Sequence, residues 1–600
     1  MGSMRLTIAL NSNRNLKSVL LLNAATSFDP ADPASVQSLV LKSAQSKLRL
    51  KLKKGAVGRI FAARNGTELL TTDDWKREAF NDAVLLLSVG EDFVGLKKAT
   101  SGNGTSSGDG SLGAGNPNCG ITILADSVYV DQLSITQLET TARTLPGIIH
   151  AVGQPDLHPG TKFPIGAVFV SQEYIHPPLI GGDIGCGMSW YKTTLSRSQV
   201  DGDKATKVVE KLRGLEGPWR SQSERVLWLT EDGTCSSVGK EWDASLGTIG
   251  AGNHFAEIQV VEEVQEEVDF KLDDVVLLVH SGSRGYGGDI LKRYTSEGHT
   301  SLRVGEEATN KYLEEHDKAC TWAQANRDLI ALRFLACLEP GESAWELGRN
   351  DSESQNNASA DIKAARARVQ QRKVVDIWHN NVQRVVWPPQ PPSLSTTLPQ
   401  TTTAEVTSAI NELSIANADP STPTPTHAYI HRKGAAPTTS PTTALPLAIL
   451  PLPGSRATPT AILSPAFSDK TAWGASNGLS LAHGAGRAMS RAKALSSLSS
   501  KYKNDAHGML QPGKVAGMAA GAAAAAADSS GSGGKARKGK GGSATAGGTW
   551  VVCEDKQLVW EEAPEAYKDV VAVAEDLVRA GVAEVRGWCV PRISYKVRDE

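Results

Sequence analysis

Asp183 and Cys186 stand three residues apart in the run Gly181-Gly182-Asp183-Ile184-Gly185-Cys186-Gly187-Met188, among four glycines. A carboxylate and a thiol at that spacing are a metal-ligand pair, and glycine lets the backbone turn sharply and lie close to a ligand. No second cysteine stands near enough for a zinc knuckle or a redox pair. The seven cysteines, Cys119, Cys186, Cys235, Cys320, Cys337, Cys553 and Cys589, include no Cys-x-x-Cys. Further ligands must come from distant parts of the chain.

Four histidine-bearing segments stand out. His254 lies in Gly247-Thr248-Ile249-Gly250-Ala251-Gly252-Asn253-His254-Phe255-Ala256-Glu257, and His280 ends the apolar run Val275 to Val279. His379 lies in Ile377-Trp378-His379-Asn380-Asn381, and His483 opens His483-Gly484-Ala485-Gly486-Arg487-Ala488-Met489-Ser490-Arg491. A lone histidine is more often a core or surface residue, and His150, His176, His299, His427 and His507 take that reading. His254, His280 and His483 differ because each abuts a glycine-rich turn, and functional groups concentrate on loops held by rigid elements. His379 has a competing reading, a helix in which Trp378 packs against the core.

Imidazole, carboxylate and a single thiolate make a donor set of mixed softness, with too few thiolates for a structural zinc cluster. A thiolate has several lone pairs and can bridge two ions, and two ions a few ångströms apart suit chemistry on phosphate oxygens. Geometry and availability, not affinity, would have to select Mn²⁺ over Zn²⁺. A neutral imidazole nitrogen is also a competent nucleophile. If His483 starts a helix, Arg487 and Arg491 at i+4 and i+8 line up on its face, at a terminus that itself favours anions. The competing reading there is a helix cap with surface arginines.

These residues need elements to position them. The chain has 600 residues, 40% of them hydrophobic, enough for a sizeable core. Its net charge of −2 gives no global positive field, so any nucleic-acid contact must be local. The scattered, odd cysteine count points to a reducing compartment. The N-terminus lacks a secretory core, Leu6 breaks the myristoylation pattern, and no apolar run is long enough to span a bilayer. The expectation is a cytoplasmic or nuclear protein without membrane contact, an organelle being the remaining option.

The fold class expected is α+β. Residues 1–97 read as strand (Arg5 to Leu10), strand (Ser18 to Leu22), helix (Ala34 to Ser46), strand (Gly58 to Ala62), turn (Asn65-Gly66) and strand (Ala83 to Val89), an order that suggests a small ubiquitin-like, β-grasp unit. Lys47 to Lys54 alternates basic and apolar residues, as a strand with one solvated face would. A Gly/Ser-rich linker at 98–118 follows, then the main domain, 119–600. Tracts at about 388–426, rich in Pro, Thr and Ser, and about 519–548, rich in Ala, Gly and Ser, read as disordered insertions in surface loops. Motif-bearing segments lie on both sides of each.

Taken together, the motifs of the main domain resemble the RtcB family of RNA ligases. Five signatures occur in order: "PDLHPGTKFPIGAVF", "GGDIGCGM", "GTIGAGNHFAEI", "VHSGSRGYG" and "HGAGRAMSR". Shorter matches are "DIWHNNVQ", "RKGA", "PGS" and "AYKD". The resemblance implies an RtcB-like mixed α/β catalytic domain that joins RNA bearing a 2′,3′-cyclic phosphate or 3′-phosphate to RNA with a 5′-hydroxyl, in tRNA splicing or RNA repair, using GTP and two Mn²⁺ ions. It implies that Asp183, Cys186 and His254 hold one ion and that Cys186, His280 and His379 hold the other, with Cys186 bridging. His483 would take GMP from GTP. Asn253, Glu257, Ser455, Tyr567 and Lys596 would contact the nucleotide, and Arg284 and Arg491 the RNA phosphates. An archease-like activator would be a further partner. The family usually ends in Lys-Gly, whereas Lys596 is followed by Val597-Arg598-Asp599-Glu600, and "PGS" continues as Arg456-Ala457-Thr458-Pro459. Two other readings stand beside the ligase: a metal-dependent phosphoesterase or cyclic phosphodiesterase on the same scaffold, and a non-catalytic RNA-binding subunit.

Overall fold

The strand Val275–Ser281 (VVLLVHS) is buried along its whole length, as its unbroken apolar run requires. Side chains alternate across a strand, so Val275, Leu277 and Val279 join one hydrophobic core while Val276 and Leu278 join another. His280 falls on the second side by the same parity. The structure is a computed structural model describing residues 4–11, 17–22, 33–48, 50, 58–63, 66–78, 83–89, 116–117, 119–215, 217–296, 301–349, 358–391, 426–440, 443, 445–502, 504 and 549–597. The chain forms two compact units, Met1–Gly113 and Ala114–Glu600. The expected insertion at about 519–548 lies outside the described residues, as do residues 392–425 of the other and nearly all of the linker.

In the first unit a four-stranded sheet has the order Lys17–Leu22, Met4–Leu10, Val84–Ser88, Arg59–Ala62. The first pair is antiparallel, the central pair parallel and the last pair antiparallel. The helix Pro33–Lys47 sets Val40 and Ala44, one turn apart, against Leu6, Ile8, Ile60, Leu85 and Leu87. A second helix, Thr72–Glu78, adds the buried Trp75 to that core. Lys47 ends the first helix, and Leu48 and Leu50 are buried without forming a strand. Of the strand expected over Lys47 to Lys54, Lys47 belongs to the helix instead, and Arg49 and residues 51–54 lie outside the described residues.

The second unit is built on an eight-stranded sheet. Its order is Lys373–Trp378, Gly187–Lys192, Val275–Ser281, Phe255–Val264, Ala583–Tyr595, Thr460–Pro465, Leu450–Pro453, with Trp550–Val552 also pairing with Ala583–Tyr595. The 32-residue helix Glu307–Leu338 brings Trp322, Leu329, Ile330 and Phe334 into the core on one face. On the other face lies a five-stranded sheet, ordered Asn380–Trp387, Thr426–Lys433, Ile165–Ser171, Ile148–His158, Gly120–Ile123, which contributes Val168, Val170 and Ile430. Each fully buried Leu, Val or Ile contributes about 1.5–3 kcal/mol, so the sheet is a rigid platform held from both sides. Among the described residues no helix is long and apolar enough to cross a membrane.

Candidate active site

Strand register gathers the ligands. Trp378 pairs with Gly187, Gly187 with Ser281, and His280 with both Met188 and Phe255. His379 follows Trp378, Cys186 precedes Gly187, and His254 precedes Phe255. Four adjacent antiparallel strands therefore present His379, Cys186, His280 and His254 at one end. The next strand, Ala583–Tyr595, pairs Tyr595 with Ala256 and delivers Lys596 to the same end.

Cys186 Sγ lies 3.2 Å from His254 Nε2 and 3.3 Å from His280 Nε2. His280 Nε2 lies 3.0 Å from His379 Nε2, and His254 Nε2 lies 2.8 Å from Asp183 Oδ2. All five residues proposed as ligands are thus linked in one chain of contacts, with Cys186 central. Cys186, His254 and His280 by themselves can offer donor atoms all within 4.8 Å of one another. The donor set fits a cation on its own chemistry. His254 Nδ1–H donates to the Ile249 carbonyl at 3.1 Å, so Nε2 is the ring nitrogen that faces the Cys186 sulfur and the Asp183 carboxylate. Burial and the neighbouring imidazoles hold His280 and His379 well below the usual histidine range, so both are neutral. Burial and the Asp183 carboxylate push the Cys186 thiol well up, and a bound cation would be needed to make it a thiolate. Burial works to raise Asp183, but His254 beside it holds it below the usual range.

The loops carrying these groups leave no spare volume. A Cβ on Gly282 would stand 2.1 Å from Asp183 Oδ1. Two buried side chains of the long helix hold the loops from beneath. Arg327 donates to the Gly185 carbonyl at 2.9 Å and the Ser281 carbonyl at 3.0 Å, each next to a ligand, and pairs with Asp376 at 2.5 Å. Asn326 donates to the Thr248 and Gly282 carbonyls at 3.2 and 3.3 Å and accepts from Gly247 N–H at 2.7 Å.

His483 sits against this cluster, its ring centroid 4.5 Å from that of His379. Its Nδ1 is 2.8 Å from Asp156 Oδ2, so Nδ1–H donates to the carboxylate and Nε2 keeps its lone pair. The expected helix from His483 through Arg491 is not formed. His483 follows the short strand Ser480–Ala482, and the helix begins at Arg491, capped by Ser490. Gly486 has φ +70°, and a Cβ there would meet the Asp156 carbonyl at 2.3 Å, so this segment is a glycine loop packed on the Asp156 strand. Lys568 ties the two together. Its Nζ donates to the Pro155 and Leu157 carbonyls at 3.0 and 2.7 Å, and its N–H donates to Gly486 at 3.0 Å.

Two of the residues expected to contact a nucleotide, Ser455 and Tyr567, meet at a buried glutamate, Glu562. Ser455 Oγ donates to the Glu562 carbonyl at 3.0 Å, and the Tyr567 hydroxyl bonds the Glu562 carboxylate. Arg487 and Arg491 pair with the same carboxylate at 3.1 and 3.3 Å. Burial works to raise Glu562, but Lys596 and the arginines hold it below the usual range. Lys596 Nζ donates to the His254 carbonyl at 3.4 Å and lies 5.5 Å from the Phe255 ring centroid. Glu257 is buried beside Gln259, and burial pushes its pKa up to about 7. Asn253 is half-buried next to His254, and Arg284 Nε donates to Thr248 Oγ1 at 3.1 Å.

The sequence profile of the family described as tRNA-splicing ligase RtcB matches residues 137–225 and 226–384. An Escherichia coli protein named RNA-splicing ligase RtcB2 is 30% identical over 467 residues, covering 77% of this chain and 91% of that protein. The chain belongs to the RtcB family. It is an RNA ligase by that membership. A tRNA-splicing ligase RtcB of Methanococcus maripaludis is 28% identical over 267 residues, 35% of this chain and 54% of that one. An RNA-splicing ligase RtcB homolog 1 of Entamoeba dispar is 23% identical over 323 residues, 44% of this chain and 60% of that protein.

Sequence reading had missed several residues of this RtcB-family site. Asp156 sat unread within the quoted "PDLHPG". Lys568 sat likewise within "AYKD". Glu562 carried no local signal. Asn326-Arg327-Asp328 was detectable, because three consecutive polar residues fall in the mostly apolar C-terminal half of the long helix.

Proposed function

We propose that this enzyme joins RNA ends bearing a 2′,3′-cyclic phosphate or 3′-phosphate to 5′-hydroxyl ends, through a GMP carried on His483. The observation that supports it is the placement of His483, with Nδ1 held by Asp156 and its ring against His379. A phosphodiesterase would need the metal ligands but not an oriented nucleophile beside them. Asp183, Cys186 and His254 would hold one Mn²⁺, and Cys186, His280 and His379 the second. Bound there, the ions would supply Lewis-acid polarisation of a phosphoryl oxygen and offset its growing charge.

The chain's own residues do the rest. His483 Nε2 attacks the α-phosphorus of GTP, the bond to the bridging oxygen breaks, and pyrophosphate leaves with the electron pair. Nδ1–H stays bonded to Asp156, which stabilises the cationic imidazole that results. Where the RNA end is cyclic, water adds to its phosphorus and the P–O2′ bond breaks, leaving a 2′-hydroxyl and a 3′-phosphate. An oxygen of the 3′-phosphate then attacks the GMP phosphorus, and the P–N bond returns its electron pair to His483. Finally the 5′-hydroxyl attacks the activated 3′-phosphorus, its proton passes to solvent, and GMP leaves. Arg284 and Arg491 would hold RNA phosphates. Asn253, Glu257, Ser455, Tyr567 and Lys596 would hold the nucleotide. Residues 1–97 would form a β-grasp unit, joined through 98–118 to the ligase domain 119–600, and an archease-like protein would act as activator. The substrates would be those of tRNA splicing or RNA repair.

Incubation with labelled GTP and Mn²⁺ tests this. Wild-type protein should carry an acid-labile adduct that His483→Ala lacks. No adduct on wild type, with cyclic phosphate still opened, would replace the ligase mechanism by the phosphodiesterase.

A further inference from the structure

Arg456 is the one residue of the described chain whose entire guanidinium is buried without a partner: it is 1% exposed, and Nε, Nη1 and Nη2 all lack a hydrogen bond. A cation taken out of water and left unpaired is strongly destabilising, and a guanidinium carries five donors that need acceptors. The fold nevertheless holds it firmly. Arg456 lies in the loop between the strands Leu450–Pro453 and Thr460–Pro465, closed by Gly454 N–H to the Pro459 carbonyl at 3.1 Å and by Thr458 Oγ1 to the Ser455 carbonyl at 2.6 Å. The next residue, Ala457, is buried at φ +63°, a left-handed conformation that alanine rarely adopts. Strain of this kind clusters where a loop presents a side chain to a ligand.

The loop adjoins the proposed nucleophile. Ala485, two residues after His483, donates its N–H to the Pro453 carbonyl at 2.9 Å. Arg456 feels the charges of Cys553, Glu562, Glu565 and Tyr567, and of Lys596, so it lies among the groups expected to contact the nucleotide. Two of those neighbours are carboxylates. They would repel a phosphate but not a neutral base edge.

We propose that Arg456 reads the nucleobase of the bound GTP, donating its guanidinium fork to the O6 and N7 acceptors of guanine. This rests on the GTP reading above. Arginine and guanine match in this geometry because two parallel N–H groups meet two acceptors. Adenine offers N7 but replaces O6 by an amino donor, so the same fork rejects ATP. Arg456 stands where "PGS" departs from the family's glycine-containing continuation.

The test is the rate of adduct formation at varied concentrations of GTP, 7-deaza-GTP and ATP. In 7-deaza-GTP only the N7 acceptor is lost. Wild-type protein should show a higher half-saturating concentration for 7-deaza-GTP than for GTP. Arg456→Met should weaken GTP roughly ten- to a hundredfold, and should no longer distinguish GTP from 7-deaza-GTP. Arg456→Gln, a second variant in case methionine disturbs folding, should also lose that distinction. A merely structural arginine would shift both nucleotides together and keep their ratio, which would overturn the proposal, as would equal use of the two nucleotides by wild type. A phosphate contact would give that same common shift. No adduct with any nucleotide on wild type would instead bring down the GTP reading, and this inference with it.

Discussion

Cys186 touches both halves of the ligand set, so its loss should differ in kind from that of His483. Cys186→Ala should abolish binding of two Mn²⁺ by titration calorimetry, whereas His483→Ala should bind metal as wild type does and form no adduct. Asp156→Asn should cut adduct formation at least roughly a hundredfold at unchanged metal affinity, because an amide no longer fixes the Nδ1–H tautomer. Glu257 yields a pH prediction. Its pKa rises from 4.5 unfolded to about 7 folded, so the folded chain binds more protons between those values. Stability from this group is full below pH 4.5 and is lost as pH rises through 7. The loss is of the order of 3 kcal/mol. Glu257→Gln should therefore melt higher than wild type at pH 8 but not at pH 4.5, and thermal unfolding at the two pH values checks it. The side chains themselves were readable as ligands, since thiol, carboxylate and imidazole announce their chemistry. Asp156 was not, because an aspartate near the end of a strand has many uses and only its 2.8 Å contact with His483 selects one.

Among the elements, the long helix Glu307–Leu338 has the least obvious role. It contributes no ligand, yet Arg327 holds the carbonyls beside Cys186 and His280, and Asn326 holds the Thr248 carbonyl in the loop that leads to His254. Arg327→Met should weaken Mn²⁺ binding roughly 10–100-fold, as losing a support behind a ligand does. It should also destabilise the fold by about 3 kcal/mol, because the buried Asp376 loses its closest cation and keeps only the Ser189 hydroxyl and the more distant Lys373. Metal titration and chemical denaturation separate the two effects. The strand that carries His280 was legible because apolar runs bounded by polar turns have few other uses. The helix assumed at His483 was wrong for a local reason. Four-residue spacing of His483, Arg487 and Arg491 suggests a helix, but Gly484 and Gly486 disfavour one and Ser490 caps the helix that does form later. His379 resolved the other way. It is neither in a helix nor in a strand interior but at the turn between Lys373–Trp378 and Asn380–Trp387, where its N–H donates to the Cys186 carbonyl at 2.8 Å.

For the whole molecule, the second unit closes its site with segments separated by hundreds of residues. Asp156 meets His483, and Lys596 meets His254, across 327 and 342 positions. The strands Asn380–Trp387 and Thr426–Lys433 are in register up to Trp387 opposite Thr426, so residues 388–425 begin and end side by side. Replacing them by a short hairpin turn should leave the melting temperature within a few degrees and adduct formation unchanged; loss of folding would show that the segment is part of the core. By itself the sequence determined which residue types could bind metal and carry a phosphoryl group, where the low-complexity tracts fall, and which runs must be strands, because residue chemistry and hydrophobic period are local properties. Only the tertiary structure decided that His379, Cys186, His280 and His254 share one end of four neighbouring strands. It alone showed that Asp156, Arg327, Glu562 and Lys568 hold the reactive groups in place, and that Arg456 is buried without a partner. Those relations depend on sheet order and register, which come from packing the two faces of one sheet and which no window of sequence contains.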